Sequence, residues 1–97
     1  MDEIGFSWDA RKAMQNLQKH KVSFEEAATV FYDENAIEFF DTDHSINEER
    51  FLMLGLSGRL HIMVVCYCLR KKDSEIRIIS ARKATKKEEK VYIEGKK

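Results

Sequence analysis

A chain of 97 residues is long enough for one domain with a modest core, and its 35% charged residues are balanced, 17 basic against 17 acidic. Apolar residues make up 43% and recur in periodic runs, so a wholly disordered chain is excluded; no run is long enough to span a bilayer, and Met1 to Phe6 lacks the basic-then-apolar pattern of a secretory leader. The zero net charge hides a segregation: Ser23 to Glu49 holds nine acidic residues and no Lys or Arg, whereas basic residues dominate from Arg50 onward. Such a dipolar surface suits a polyanion on one part and a basic partner on the other.

Taken in order, Ile4 to Trp8 reads as a short strand at a sheet edge. Asp9 is an N-cap, and Ala10, Ala13, Met14 and Leu17 recur at helical spacing, predicting a first helix that ends near Lys19 to Lys21 with an apolar stripe toward the core. Ser23 and Glu26 have the spacing of a capping box ahead of a second helix carrying Phe24, Ala27, Ala28 and Phe31. Ala36 to Phe40 and Arg50 to Ser57 read as strands. Ser57-Gly58 reads as a hairpin turn into a central strand, Arg59 to Leu69, that is apolar on both faces. Glu75 to Lys90 is a strand that runs straight into a helix opened by a Thr85-x-x-Glu88 capping box. In that strand simple alternation puts Ile76, Ile78 and Ser80 on one face and Arg77, Ile79 and Ala81 on the other.

The order is β-α-α-β-β-β-β-α. It predicts an α+β fold over residues 1–97, a small, mainly antiparallel sheet with an N-terminal helix pair and a C-terminal helix, the helices gathered on one face and near the ends. Cys66 and Cys68, two apart on one strand, are expected as core thiols in a reducing cytosol, too poorly spaced for a disulfide.

Chemistry is concentrated in two places. Asp43, His44, Ser45, Glu48, Glu49 and Arg50 bring an acid-base group, carboxylates and a cation into one polar turn, although a solvated turn explains the same composition. Arg77, Arg82, Lys83, Lys86, Lys87 and Lys90 make the strand-helix junction strongly cationic beside a helix N-terminus, a setting for a phosphate. Lys19, His20 and Lys21 form a charged helix end that is also open to RNA, and His61 reads as a hydrogen-bonded strand residue. No metal-ligand spacing, Gly-rich phosphate loop or Ser-His-Asp pattern is present, so neither a metal nor a nucleotide cofactor is expected.

These motifs in combination resemble one family. The stretch WDARKAMQNLQKHKVSFEEAATVF, then DHS with EERF, the GRL hairpin, and IRIISARKATKKE with Tyr92 behind it are similar to the BrnT family, in order and through nearly the whole chain. The resemblance implies a cytoplasmic RelE-like toxin of a type II toxin-antitoxin module that cleaves RNA without a cofactor. It also implies a DNA-binding antitoxin of the BrnA family as direct partner, in a toxin-antitoxin hetero-oligomer. Metal-free cleavage requires a base for the 2′-hydroxyl proton, cations for the phosphate and an acid for the leaving oxygen. On that basis His44, Arg50, Arg77 and Arg82 are the expected catalytic set, with Lys83, Lys86, Lys87, Lys19 and Tyr92 on the RNA. Tyr92 stacks on a base, assists proton transfer or faces the core. A non-catalytic RNA- or partner-binding module of the same fold is the alternative.

Overall fold

The computed structural model describes residues 4–96, so the Met1–Glu3 part of the leader reading and Lys97 lie outside it. The elements are β1 (Gly5–Ser7), α1 (Ala10–His20), α2 (Phe24–Thr29) with a 3-10 turn at Val30–Tyr32, β2 (Ile37–Phe40), a 3-10 turn at Thr42–His44, β3 (Phe51–Leu56), β4 (Ile62–Arg70), β5 (Glu75–Lys83) and α3 (Lys86–Gly95). This is the expected order. The sheet runs β1-β5-β4-β3-β2, with β4 at its centre. Short turns make the last four strands antiparallel, whereas the helix pair carries the chain far enough for β1 to join β5 in parallel; the sheet is therefore mixed.

The helices do not gather on one face. Val22, Phe24, Ala27 and Val30 from the helix pair pack with Met63, Val65 and Tyr67 of β4 and Ile76, Ile78 and Ala81 of β5. Tyr92 of α3 packs instead with Leu54 and Val64, whose side chains leave the sheet on the opposite side. The Arg82–Glu88 ion pair described below joins the start of α3 to β5 on that side.

The first helix also departs from its apolar stripe. Met14 and Leu17 are exposed while Asn16 is buried. The reason lies at the sheet edge. β1 covers β5 only along Glu75–Arg77, leaving the later backbone of β5 without a strand on the edge away from β4. Asn16 fills that gap: its Nδ2 donates to the carbonyls of Ala81 (2.8 Å) and Val22 (3.2 Å), and its Oδ1 accepts from the Ala81 N–H (3.1 Å). An amide side chain thus stands in for a strand and fixes α1 against the end of β5. Asn16→Ala orphans these buried groups and is expected to lower stability by about 1–3 kcal/mol, measured as an unchanged urea slope with a lower midpoint.

Two local expectations change for a common reason. Ser23 caps α2 by accepting from the Glu26 N–H, but Glu26 does not return to close the box. Its buried carboxylate accepts from Ser57 Oγ (2.6 Å) and pairs with His61 Nδ1 (2.7 Å). That clamp holds Ser57–His61 as a longer loop, with Leu60 left-handed at φ 67°, so β4 begins at Ile62 and not at Arg59.

The decisive irregularity is in β5. Cys66 pairs with Ser80 but the next residue, Tyr67, pairs with Ile78, so Ile79 is an extra residue, a bulge. It inverts the alternation beyond it. Ala81, not Ser80, joins Ile76 and Ile78 in the core, and Ser80 and Arg82 come to the α3 face with Arg77.

Candidate active site

On the α3 face the register sets side chains in rows across the sheet. One row is Ile37, Leu54, Val64 and Arg82; the next is Phe39, Leu52, Cys66 and Ser80; a third holds Cys68 and Arg77. The interior of this surface is apolar and its β5 margin is cationic or polar. α3 covers the first row, where Tyr92 sits, and leaves Leu52, Cys66, Ser80 and Arg82 as the floor and wall of an open cleft of about 320 Å³. Asp41, His44 and Arg50 close it from the β2–β3 connection.

That connection is pinned by its own backbone and short side chains. The Asp41 N–H donates to the Arg50 carbonyl (2.8 Å), Ser45 Oγ donates to the Asp41 carbonyl (2.5 Å), and the Arg50 N–H donates to Ser45 Oγ (3.0 Å). His44, three residues after Asp41 in one tight turn, has its Nδ1 within 3.1 and 3.2 Å of the two Asp41 carboxylate oxygens. A proton on Nδ1 satisfies Asp41 and leaves Nε2 an acceptor. The His44 side chain is largely exposed and Asp41 nearly buried, the arrangement of a presented imidazole backed by a carboxylate.

Two arginines face this imidazole in different states. Arg82 is forked on Glu88: its two terminal nitrogens lie 2.7 and 2.9 Å from the two carboxylate oxygens, and Glu88 Oε1 also accepts the Thr85 N–H that opens α3. The fork raises the Arg82 pKa. It also holds the Glu88 carboxyl down to about 2, against the opposing effect of burial and with help from Thr85. Arg50 is less engaged. Its Nε is buried with no hydrogen-bond partner, 3.7 Å from Glu48 Oε1.

A family model described as the ribonuclease toxin, BrnT, of type II toxin-antitoxin systems matches residues 8–88. The chain belongs to the BrnT family. Among solved structures it is similar to the crystal structure of the Brucella abortus ribonuclease toxin BrnT, at 21% identity and a TM-score of 0.65, over 87% of this chain and all of that one. At that identity the likeness is one of fold. A comparison with curated proteins gave no match.

The BrnT match takes in the whole cleft and ends just inside α3, before Tyr92. Of the expected catalytic residues, His44, Arg50 and Arg82 line one cleft. Arg77 shares their face, level with Cys68, but does not line it. Lys19 lines an adjoining groove with Lys12, His20, Ile79 and Ser80. Lys83 pairs with Met63, and the alternation after the bulge assigns it to the helix-pair face; Lys86 and Lys87 are exposed on the first turn of α3, outside the cleft.

Tyr92 is a correction. It is buried, its hydroxyl donates to Asp33 Oδ2 (2.6 Å), and burial with that bond pushes its pKa up to about 12, so it neither stacks on a base nor moves a proton. Asp33 also accepts the Leu56 N–H, so Tyr92 anchors the far end of α3 to β3. Of the residues around the cleft, Asp41 and Leu52 are not among those expected from the sequence, Cys66 is expected only as a core thiol, Ser80 only as a strand residue and His20 only as part of a charged helix end open to RNA; only Asp41 carried a further signal, its i, i+3 spacing to His44.

Two acidic residues of the turn are otherwise employed, Asp41 on His44 and Glu48 on arginines. Glu48 faces both Arg50 and Arg70, and among the described residues no group of three His, Cys, Asp or Glu side chains is placed to hold a metal ion. No described helix is long and apolar enough to cross a membrane.

The Glu88 fork has a pH consequence. Because the folded pKa lies below the ordinary 4.5, the pair contributes stability above pH 4.5 and loses it as the pH falls toward 2. Thermal midpoints of the native protein are expected to exceed those of Glu88→Gln above pH 4.5 and to converge with them in acid; a gap independent of pH contradicts this.

Proposed function

We propose that this BrnT-family chain is a metal-independent endoribonuclease that cuts RNA by attack of the adjacent 2′-hydroxyl on the phosphate. The observation that carries the reading is the Asp41-backed His44 presented into a cleft whose other polar walls are Arg50, Ser80 and Arg82. His44 moves the 2′-hydroxyl proton while Asp41 holds its ring. Arg50, which lines the cleft, and the forked Arg82 stabilise the charge that gathers on the phosphate. Leu52 and Cys66 beneath them supply an apolar floor that lowers the local dielectric and strengthens those interactions. Lys19 and Lys12 on the adjoining groove, and Lys86 and Lys87 on α3, extend the cationic track to flanking phosphates.

On this reading residues 1–97 act as one RelE-like toxin domain in the cytoplasm, inhibiting translation and growth. A DNA-binding antitoxin of the BrnA type neutralises it in a hetero-oligomer by covering the cleft. Support comes from the family's description as ribonuclease toxins of type II modules and from the charge segregation of the chain. Induced expression in bacteria is expected to arrest growth with RNA cut to 2′,3′-cyclic or 3′-phosphate ends, and co-expression of a BrnA-type protein to restore growth and copurify as a complex. Arrest with intact RNA favours a binding module; copurification with undiminished cutting removes occlusion as the means of control.

A further inference from the structure

Resting on that reading, we propose that His20 is a second catalytic residue, the general acid that protonates the leaving 5′-oxygen while His44 acts as the base. His20 is the last residue of α1, and α1 is held beside β5 by the Asn16–Ala81 bonds where β1 no longer covers the edge. From there it rounds the sheet edge. His20 lines a cleft with Leu52, Val64, Cys66, Ser80, Ala81 and Arg82; the cleft of His44 shares Leu52, Cys66, Ser80 and Arg82. The two imidazoles therefore line neighbouring clefts with a shared floor, His20 from the β5 edge and His44 from the β2–β3 connection. β5 and β3 flank β4, so the shared floor is about 10 Å wide, and on this proposal the two imidazoles act across it on one phosphate.

The roles follow from the partners. Asp41 orients His44 so that Nε2 is free to accept a proton. Among the described residues no carboxylate pairs with His20; the charged groups facing it are Lys12 and Lys19 from its own helix and Arg82 from β5. The ammonium groups are weaker candidates, because they line only the outer groove and do not reach the Leu52–Cys66–Arg82 part. An ammonium is also a reluctant acid near neutral pH, where an imidazolium is well matched. In the step, His44 takes the 2′-hydroxyl proton, the 2′-oxygen bonds to phosphorus, the bond from phosphorus to the 5′-oxygen breaks, and that oxygen takes the proton of His20. The products are a 2′,3′-cyclic phosphate and a 5′-hydroxyl, with no other reactant consumed.

The test replaces the leaving 5′-oxygen with sulfur at a wild-type cut site in a short oligoribonucleotide, since a thiolate departs without protonation. His20→Asn and His20→Gln are expected to cut the oxygen substrate about 10²–10⁴-fold more slowly and the sulfur substrate near the wild-type rate. His44→Asn is expected to be slow on both. His20 variants equally slow on both substrates, or unimpaired on the oxygen substrate, overturn the proposal. If wild type itself cuts an oligonucleotide lacking the scissile 2′-hydroxyl, the underlying reading fails instead, whatever His20 does. Binding of the 2′-deoxy oligonucleotide and urea midpoints, both expected unchanged in the His20 variants, separate loss of chemistry from loss of fold.

Discussion

Replacing Arg82 with Ala is expected to slow RNA cleavage by about 10²–10³-fold, the usual consequence of removing one preorganised charge from a reacting phosphate. It is expected to relieve growth arrest at unchanged protein level. Arg82 is half-exposed and its side chain is absent from both apolar clusters, so the fold does not depend on burying it. Its partner introduces a second effect: without the fork, Glu88 keeps only the Thr85 bonds and α3 is less firmly held. A partly exposed ion pair contributes about 0–1 kcal/mol, so that loss leaves the chain folded. Arg82→Lys and Glu88→Gln separate the two effects. The lysine keeps a charge but not the fork and is expected to recover part of the rate; Glu88→Gln keeps the guanidinium and is expected to disturb stability more than cleavage. Full activity in Arg82→Ala, with folding verified, contradicts the placement of the phosphate.

The second large effect is at His44. His44→Asn is expected to reduce cleavage by about 10²–10⁴-fold, the range for a positioned proton-transfer group. RNA binding is expected to persist, because the cationic walls remain. Asp41→Asn tests the geometry behind it. An amide no longer requires a donor at Nδ1, so the free nitrogen of His44 ceases to be defined, and activity is expected to fall while the backbone bonds that pin the turn survive. Asp41→Asn as active as the native protein leaves His44 without its orienting partner and removes the basis for treating it as the base.

Order and type of the elements were legible because they depend on local patterns: Asp9, Ser23 and Thr85 cap the three helices as read, and the apolar run of β4 marks a central strand. What escaped is set by contacts distant in sequence. Simple alternation along β5 fails at Ile79, since a bulge depends on the partner strand, and the bulge decides that Arg82 faces the cleft and Lys83 does not. Asn16 reads as an outward helix residue until the bare edge of β5 is known. Glu26 has the spacing of a capping partner but is drawn inward by Ser57 and His61, more than thirty residues away. Tyr92 matched the resemblance, yet Asp33 claims its hydroxyl. His20 belongs to the same class: its position on α1 is local, whereas its neighbours come from β3, β4 and β5.

The most direct measurement of the central claim is cleavage, in the presence of EDTA, of two oligoribonucleotides that differ only in the 2′-hydroxyl at the scissile position. The account predicts that the all-ribose strand is cut to a 2′,3′-cyclic or 3′-phosphate end and that the 2′-deoxy strand binds but stays intact. Cutting of the 2′-deoxy strand, or activity lost in EDTA and restored by Mg²⁺ or Mn²⁺, contradicts it.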